Sequence, residues 1–314
     1  MAQGLEDGLA GRRQARQRRR PRAERRLEAA WALVLIAPTL FCFLCFTLGA
    51  LGGGLGLSFF AHDLFTPPRF VGLGNLYQIL SDDRILRIFG VTAFYALGMV
   101  TLDLVWAMTL ALALNSFIPK ALRLLFRLTF FFPVLISGAV IAIVWRYLLN
   151  ADIGLVNWLL SQFGLPRIPW LVSATWVRFA TIIITVWNGV GFNMIIFLAA
   201  LQSIPQALYE AAEIDGADPL ARFRHITLPH LSPTVFFVVV KGLVAVFQLF
   251  DQPYMLTGGG PGDASRTVVM YIYELGFKSL RLGYASAVAM LLFAVILAMT
   301  VVQFRVSRHW VFYR

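Results

Sequence analysis

The sequence predicts an all-α integral membrane protein with six transmembrane helices, and three observations carry that prediction. Of 314 residues, 59% are hydrophobic and 14% charged, with a mean hydropathy of +0.74. A water-soluble globule carries roughly 25% charged residues, so this chain has too few polar side chains to cover a soluble surface. The apolar residues also fall into six continuous runs, and a helix crosses a ~30 Å hydrocarbon layer with about 20 residues. The runs do not alternate polar with apolar, which excludes a transmembrane barrel and leaves the helix to satisfy the backbone.

A basic tail comes first. Arg12, Arg13, Arg16, Arg18, Arg19, Arg20, Arg22, Arg25 and Arg26 concentrate the net charge of +11 ahead of the first run. A nucleic-acid tail shares that composition, but this one abuts a hydrophobic segment. Retention on the cytoplasmic face, with attraction to anionic lipid, explains it without nucleic acid. The run behind it exceeds a signal-peptide core of roughly 7–15 residues and lacks a small-x-small cleavage site, so it reads as an uncleaved first span.

The spans are expected at Ala29–Leu57, Phe89–Ser116, Leu122–Leu149, Ala180–Leu201, Pro233–Leu256 and Tyr284–Phe304. Pro38 and Pro133 are expected to kink the first and third. Gly52-Gly53-Gly54 is expected to mark an unwound or closely packed outer end of the first. Cys42 and Cys45 form a C-x-x-C within apolar sequence, without further zinc ligands or polar access, and read as small packing residues.

Loop charges orient the spans. With the arginine-rich tail inside, Lys120, Arg123, Arg127, Arg222, Arg224, Arg305, Arg308 and Arg314 also fall inside, while the outer loops mix signs. That bias places both termini in the cytoplasm. The expected organisation is a disordered tail over 1–28, a membrane domain over 29–306 with a cytoplasmic loop at 203–231, and a short tail at 307–314.

That loop contains "EAAEIDGADPLARFRHITLP", Glu210 to Pro229, with four acids, two arginines and a histidine between two apolar runs. Its local signals predict two short helices. Ser203 and Gln206 fit a capping box, and Pro205 is tolerated in the first turn. Gly216 suits a left-handed stop. Asp218 caps the second helix, with Pro219 at its first position, and Pro229 and Pro233 are expected to end it. Helical spacing puts Leu208, Ala211 and Ala212 on one face and Glu210 and Glu213 toward another, while Leu220 and Phe223 anchor the second helix. Such a strip could lie on lipid headgroups. Acids at Glu210, Glu213, Asp215 and Asp218 favour a protein groove instead.

The spacing Glu210-Ala211-Ala212, three residues, Gly216, nine residues, Ile226-x-Leu228-Pro229 resembles the EAA loop of binding-protein-dependent ABC transporter permeases. "PPRFVGLGNLYQIL" (67–80), "WRYLLNADIGLVNWLL" (145–160), "WNGVGFNMIIFLAALQSIPQALYEAAEIDGA" (187–217) and "FDQPYMLTGGGPGDAS" (250–265) are similar to its carbohydrate branch, which includes maltose, multiple-sugar and glycerol-phosphate permeases. Gly52–Gly54 stands where that branch has an aromatic–proline pair.

The resemblance implies an ABC importer of type I permease architecture in a bacterial-type inner membrane. Its loop would be a coupling helix docking on a separate ATPase through Leu208, Glu210, Ala211, Ala212, Asp215, Gly216 and Phe223. It further implies a second, non-identical permease, two ATP-binding subunits and an extracytoplasmic solute-binding protein. ATP and magnesium would sit on the partner ATPases, with no cofactor or metal on this chain.

The remaining residues agree with a non-catalytic subunit. Gly258-Gly259-Gly260-Pro261-Gly262 lacks the Gly-Lys-Ser/Thr of a phosphate loop, and no catalytic triad, zinc set or carboxylate pair stands out. Asp103 and Lys241 fall within spans, where a charge costs about 2.5–3.5 kcal/mol on insertion scales. Each pairs with a neighbouring helix or serves transport, and Lys241 could also snorkel to water. Trp187, Asn188, Asn193, Gln248, Asp251, Gln252 and Tyr254 are candidates for a solute path, since sugar hydroxyls ask for amides and carboxylates and sugar faces for aromatic rings. Interhelical hydrogen bonding by the same amides is the competing reading. The alternative function is an ion-gradient-driven secondary transporter, which Asp103 keeps open.

Overall fold

The computed structural model describes residues 22–116 and 118–312, and these divide into two compact units between Gly56 and Leu57. The basic tail before Arg22 lies outside the described residues. In the first unit, α1 (Arg22–Cys42) begins inside the segment expected as disordered tail. It passes Pro38 and continues through a π-helical stretch, Phe43–Leu48, into α2 (Gly49–Leu57). The expected unwinding at Gly52–Gly54 does not occur. Those glycines are helical, and a Cβ on Gly52 or Gly53 would meet open space. Cys42 and Cys45 are free and exposed rather than packed.

The second unit opens with a hairpin, β1 (Phe60–Ala61) and β2 (Arg69–Phe70), followed by α3 (Gly74–Leu80). Asp82 starts α4 (Asp83–Asn115) by accepting from the Arg84 amide at 2.9 Å, as an N-cap does.

The third apolar run is two helices. α5 (Lys120–Phe131) ends in a 3-10 turn, Phe132–Leu135, before α6 (Gly138–Leu148). The two arms are bent by 99°, not merely kinked. Pro133 has no N–H, and Ile136 and Ser137 are extended, so the helical ladder ends there. The Asn188 amide donates to the Pro133 carbonyl at 2.7 Å, giving backbone freed inside an apolar bundle a partner.

After α7 (Leu155–Gln162) and α8 (Ala174–Gln202) come α9 (Gln206–Ile214), α10 (Pro219–Arg222) and, across a π-helical stretch at Phe223–Thr227, α11 (Leu228–Phe247). Pro229 and Pro233 do not end the second loop helix; it runs on into the span. The carbonyl that the missing N–H of Pro233 would have bonded, that of Pro229, accepts from the Ser232 hydroxyl at 2.7 Å. The fifth run, expected to reach Leu256, stops at Phe247 and resumes as α12 (Asp251–Thr257). In the gap the Thr267 hydroxyl donates to the Leu249 carbonyl at 2.6 Å. α13 (Val268–Tyr273) and α14 (Leu282–Ser307) complete the chain. Among the described residues five helices are long and apolar enough to cross a membrane, and six if the bent α5–α6 pair is one span.

The core joins α4, α8, α11 and α14 through Tyr95, Met99, Met194, Phe197, Leu231, Val238 and Val288, all nearly inaccessible. Ala107 and Ala111 are fully buried one turn apart on α4, the small-residue spacing that lets membrane helices approach. The unit has two distinguishable ends. One carries the α8–α11 loop and the Phe312 amide, which donates to Ser232 Oγ at 2.8 Å. At the other, Arg84 meets Asp263 at 2.7 Å and Asp82 accepts from Tyr284 at 3.1 Å.

Candidate functional site

The loop between α8 and α11 is a helix–turn–helix held by its own backbone. The α9 helix closes in a Schellman turn: the Ala217 amide donates to Ala212 O at 2.8 Å and the Gly216 amide to Glu213 O at 3.1 Å. That turn requires a left-handed residue, and Gly216 has φ +77°. Asp218 Oδ1 then caps α10, accepting from the Ala221 amide at 2.6 Å, with Pro219 in the first turn. Ser203 does not cap α9. Its hydroxyl turns back to Ala200 O at 2.7 Å, Pro205 precedes the first turn without a side-chain cap, and so the expected capping box with Gln206 is absent.

Two faces result. Leu208 and Tyr209 turn toward the core, so Leu208 does not share the outer face with Ala211 as its spacing suggested. The Tyr209 hydroxyl meets Thr227 Oγ1 at 2.9 Å and ties α9 to the π-helical stretch, in which Phe223 is half-buried. Glu210, Ala211, Asp215 and Gly216 are exposed, Ala212 is half-buried, and Ile214 and Leu220 stand out at 87% and 70%. Sequence reasoning missed Ile214, whose signal was an apolar residue among acids just before the glycine. It also missed Tyr209 and Thr227, which only the tertiary contact brings together.

The polar span residues separate into groups. Asn188 and Gln252 come together at the α5–α6 break, where Gln252 Nε2 lies 3.5 Å from Asn188 Oδ1. Trp187 stands edge-on to Trp145 at 5.8 Å beside them. Tyr254 joins an aromatic cluster with Phe250 (4.8 Å, stacked) and Tyr273 (5.7 Å, edge-on), with Lys278 Nζ 5.3 Å from its ring centre. Phe250, Tyr273 and Lys278 were not anticipated, since they sit in stretches that read as ordinary apolar sequence and loop. Gln248 and Asp251 are exposed at the α11–α12 break.

Asn193 stands apart from these. Its amide nitrogen donates to Asp103 Oδ2, and its oxygen accepts from Lys241 Nζ at 2.9 Å. Lys241 therefore turns to a neighbouring helix rather than snorkelling to water. Among the described residues no group of three or more His, Cys, Asp or Glu side chains could hold a metal ion.

A bundle of apolar helices with broken spans brought together at Asn188 and Gln252, and with a hydrogen-bonded polar helix–turn–helix at one end, defines a membrane-embedded transport subunit. A family model described as "Binding-protein-dependent transport system inner membrane component" matches residues 103–310, and the chain belongs to that family. It is a permease component of an ABC importer, located in the inner membrane, and not an enzyme.

It is 36% identical over 283 residues to the probable ABC transporter permease protein YesP of Bacillus subtilis (strain 168), covering 88% of this chain and 90% of that one. It is 34% identical over 241 residues to the multiple sugar-binding transport system permease protein MsmF of Streptococcus mutans (76% and 81% covered). Identity is 34% over 276 residues to the sn-glycerol-3-phosphate transport system permease protein UgpA of Yersinia pestis (87% and 92% covered). Among solved structures, a chain of a bacterial ABC transporter involved in the import of alginate superposes with TM-score 0.81 at 27% identity, over 92% of this chain and 99% of that one.

Proposed function

We propose that this chain conducts a sugar or sugar-like solute through an ATP-driven importer, receiving it from an extracytoplasmic binding protein. In this reading the loop at 203–231 docks on a separate ATPase subunit, and ATP and magnesium reside there. The observation that carries it is the loop's geometry. Ile214 and Leu220 are the most exposed apolar side chains of a preorganised helix–turn–helix, rimmed by Glu210, Glu213, Asp215 and Asp218. An apolar knob within an acidic rim suits a protein groove and opposes anionic headgroups. Small residues at Ala211, Ala212 and Gly216 admit a partner's backbone closely.

Relatives named for multiple sugars and for glycerol 3-phosphate support the solute class. Trp187, Asn188, Gln252 and Tyr254 are the assigned path residues, with Gln248 and Asp251 exposed at its end. Asn193 is committed to Asp103 and Lys241, and we assign it no contact with solute. Arg222 and Arg224 stand in or beside the loop, Arg123 and Arg127 on α5 just after α4 ends, and Arg305 and Arg308 at the end of α14, a clustering that supports placing both termini in the cytoplasm. A second permease and a pair of ATPases complete the assembly in this reading. The ion-gradient alternative loses its main support, because Asp103 is matched by Lys241 through Asn193.

The test is Gly216→Val. The residue's φ of +77° strains any Cβ-branched side chain, yet a Cβ there meets open space, so the bundle should insert normally while the turn is re-aimed. Co-purification of ATP-hydrolysing subunits should fall at least tenfold. Unchanged association together with unchanged uptake would refute the docking assignment. Uptake that survives loss of ATP hydrolysis but collapses with the proton gradient would favour the alternative.

A further inference from the structure

Two oppositely charged residue types, Asp103 and Lys241, both half-buried, share one buried neutral bridge, Asn193. Asp103 on α4 accepts from Asn193 on α8, and Asn193 accepts from Lys241 on α11 at 2.9 Å. Lys241 Nζ also sits 4.1 Å from the centre of the Phe192 ring. The flanking residues are apolar, Met194 and Phe197 on α8 and Met99 on α4, and packing of that kind tolerates sliding. The contact at Asn193 does not slide freely, because a shift of one span past another would strip the buried Asn193 amide of both its partners. The trio thus sets the register of three spans at one level.

Two of those spans, α8 and α11, flank the loop. Asn193 and Lys241 thus stand on the two spans joined by the loop, and Asn193 links both to Asp103 on α4. The contact also has spare capacity. Asp103 Oδ1 is buried without a hydrogen-bond partner, and an ammonium carries three donors, so a second arrangement in which Lys241 meets Asp103 directly is open to the same side chains.

We propose that Asp103, Asn193 and Lys241 form a clasp that transmits displacement of the loop into α4, exchanging an amide-bridged pair for a direct one as the bundle changes state. This rests on the coupling reading above, and the three are positioning residues rather than parts of the solute path.

The test uses the whole complex, purified with the ATP-hydrolysing subunits that accompany it. Cys42 and Cys45 are replaced by serine, and spin labels are placed at Leu86→Cys on α4 and Leu297→Cys on α14, positions that are 63% and 51% exposed. Distances are compared between the nucleotide-free state and the state trapped with magnesium, ADP and vanadate. Trapping should shift the label separation in the otherwise wild-type chain. Asp103→Asn and Lys241→Met should each lose at least half of that shift while the ATPase subunits still co-purify. Because a lone charge can impair insertion, the exchange variant Asp103→Lys/Lys241→Asp is measured beside them and should regain most of the shift.

A full shift in Asp103→Asn, or an exchange variant that inserts normally yet stays as impaired as the single changes, overturns the clasp alone. Failure of the ATPase subunits to associate with the wild-type chain overturns the coupling reading and the clasp with it.

Discussion

Gly191 on α8 runs so close to Phe130 on α5 that a Cβ on residue 191 would lie 2.0 Å from the Phe130 carbonyl oxygen. Backbone cannot yield as a flexible side chain can, so even one methyl group forces the helices apart. Gly191→Ala should therefore destabilise the folded bundle by about 1–3 kcal/mol, the usual range for overpacking. Thermal unfolding of the detergent-purified protein checks it, and a midpoint within a degree of wild type would contradict the packing described.

Asn157 is 1% exposed and holds the α6–α8 connection together. Its amide nitrogen donates to Ala151 O and Ile168 O, and its oxygen accepts from the Ile168 amide and the Trp170 indole. Asn157→Leu keeps the branched shape with a somewhat larger bulk and loses every bond. Leaving the half-buried backbone groups of Ala151 and Ile168 without these partners should cost about 1–3 kcal/mol, since water reaches them in part. Proteolysis or hydrogen exchange across 150–170 should rise well before the rest of the bundle opens.

Thr267 performs a similar task where the fifth span breaks. Fully buried, it donates to Leu249 O, and its oxygen accepts from the Met270 amide at 3.3 Å. Thr267→Val is nearly isosteric, so any loss is due to the hydroxyl. A decrease of about 1–3 kcal/mol is expected, as for an unsatisfied buried carbonyl, and an unchanged stability would show that water already serves the break.

Asp263 is gripped by the Arg84 guanidinium at 2.7 and 3.1 Å, and by Arg266, which also pairs with Glu274. The Arg84 bond, more than any other contact, holds the Asp263 carboxyl below the ordinary carboxylate range, against the opposing effect of burial. A depressed value means that the contribution to stability is complete above the unfolded carboxyl's value and fades as pH falls through the folded one. Asp263→Asn tolerates the local φ of +68°. It should cost about 1 kcal/mol near neutral pH, a figure kept small because the pair is partly exposed. Unfolding midpoints of wild type and variant should converge only once the pH has fallen through the depressed folded value, below the ordinary aspartate value of about 3.9. A gap that persists there would assign the effect to shape rather than charge.

The spans and the loop were readable from sequence because each depends on local chemistry. Continuous apolar runs must become helices in lipid, and Gly216, Asp218 and Pro219 act within a turn of their own positions. The capping role assigned to Ser203 failed for a related reason: its hydroxyl had a closer acceptor in the last turn of α8. The helix breaks at Pro133 and after Phe247 were only half legible. Proline signals a weak point, but Asn188, fifty-five positions away, and Thr267, eighteen away, make an open break tolerable.

Residue types alone settled that this chain lives in a membrane, that its spans are helical and that a polar elbow projects between the fourth and fifth. Hydropathy acts over a few residues, as does the turn chemistry of Gly216, Asp218 and Pro219, so these features did not wait on a distant partner. Which intramembrane amide serves a neighbouring charge, and which stands beside a broken helix, was decided only when the spans packed. Asn188 and Asn193 have the same side chain five positions apart on α8, and they point at different neighbours because successive residues of a helix face different ways.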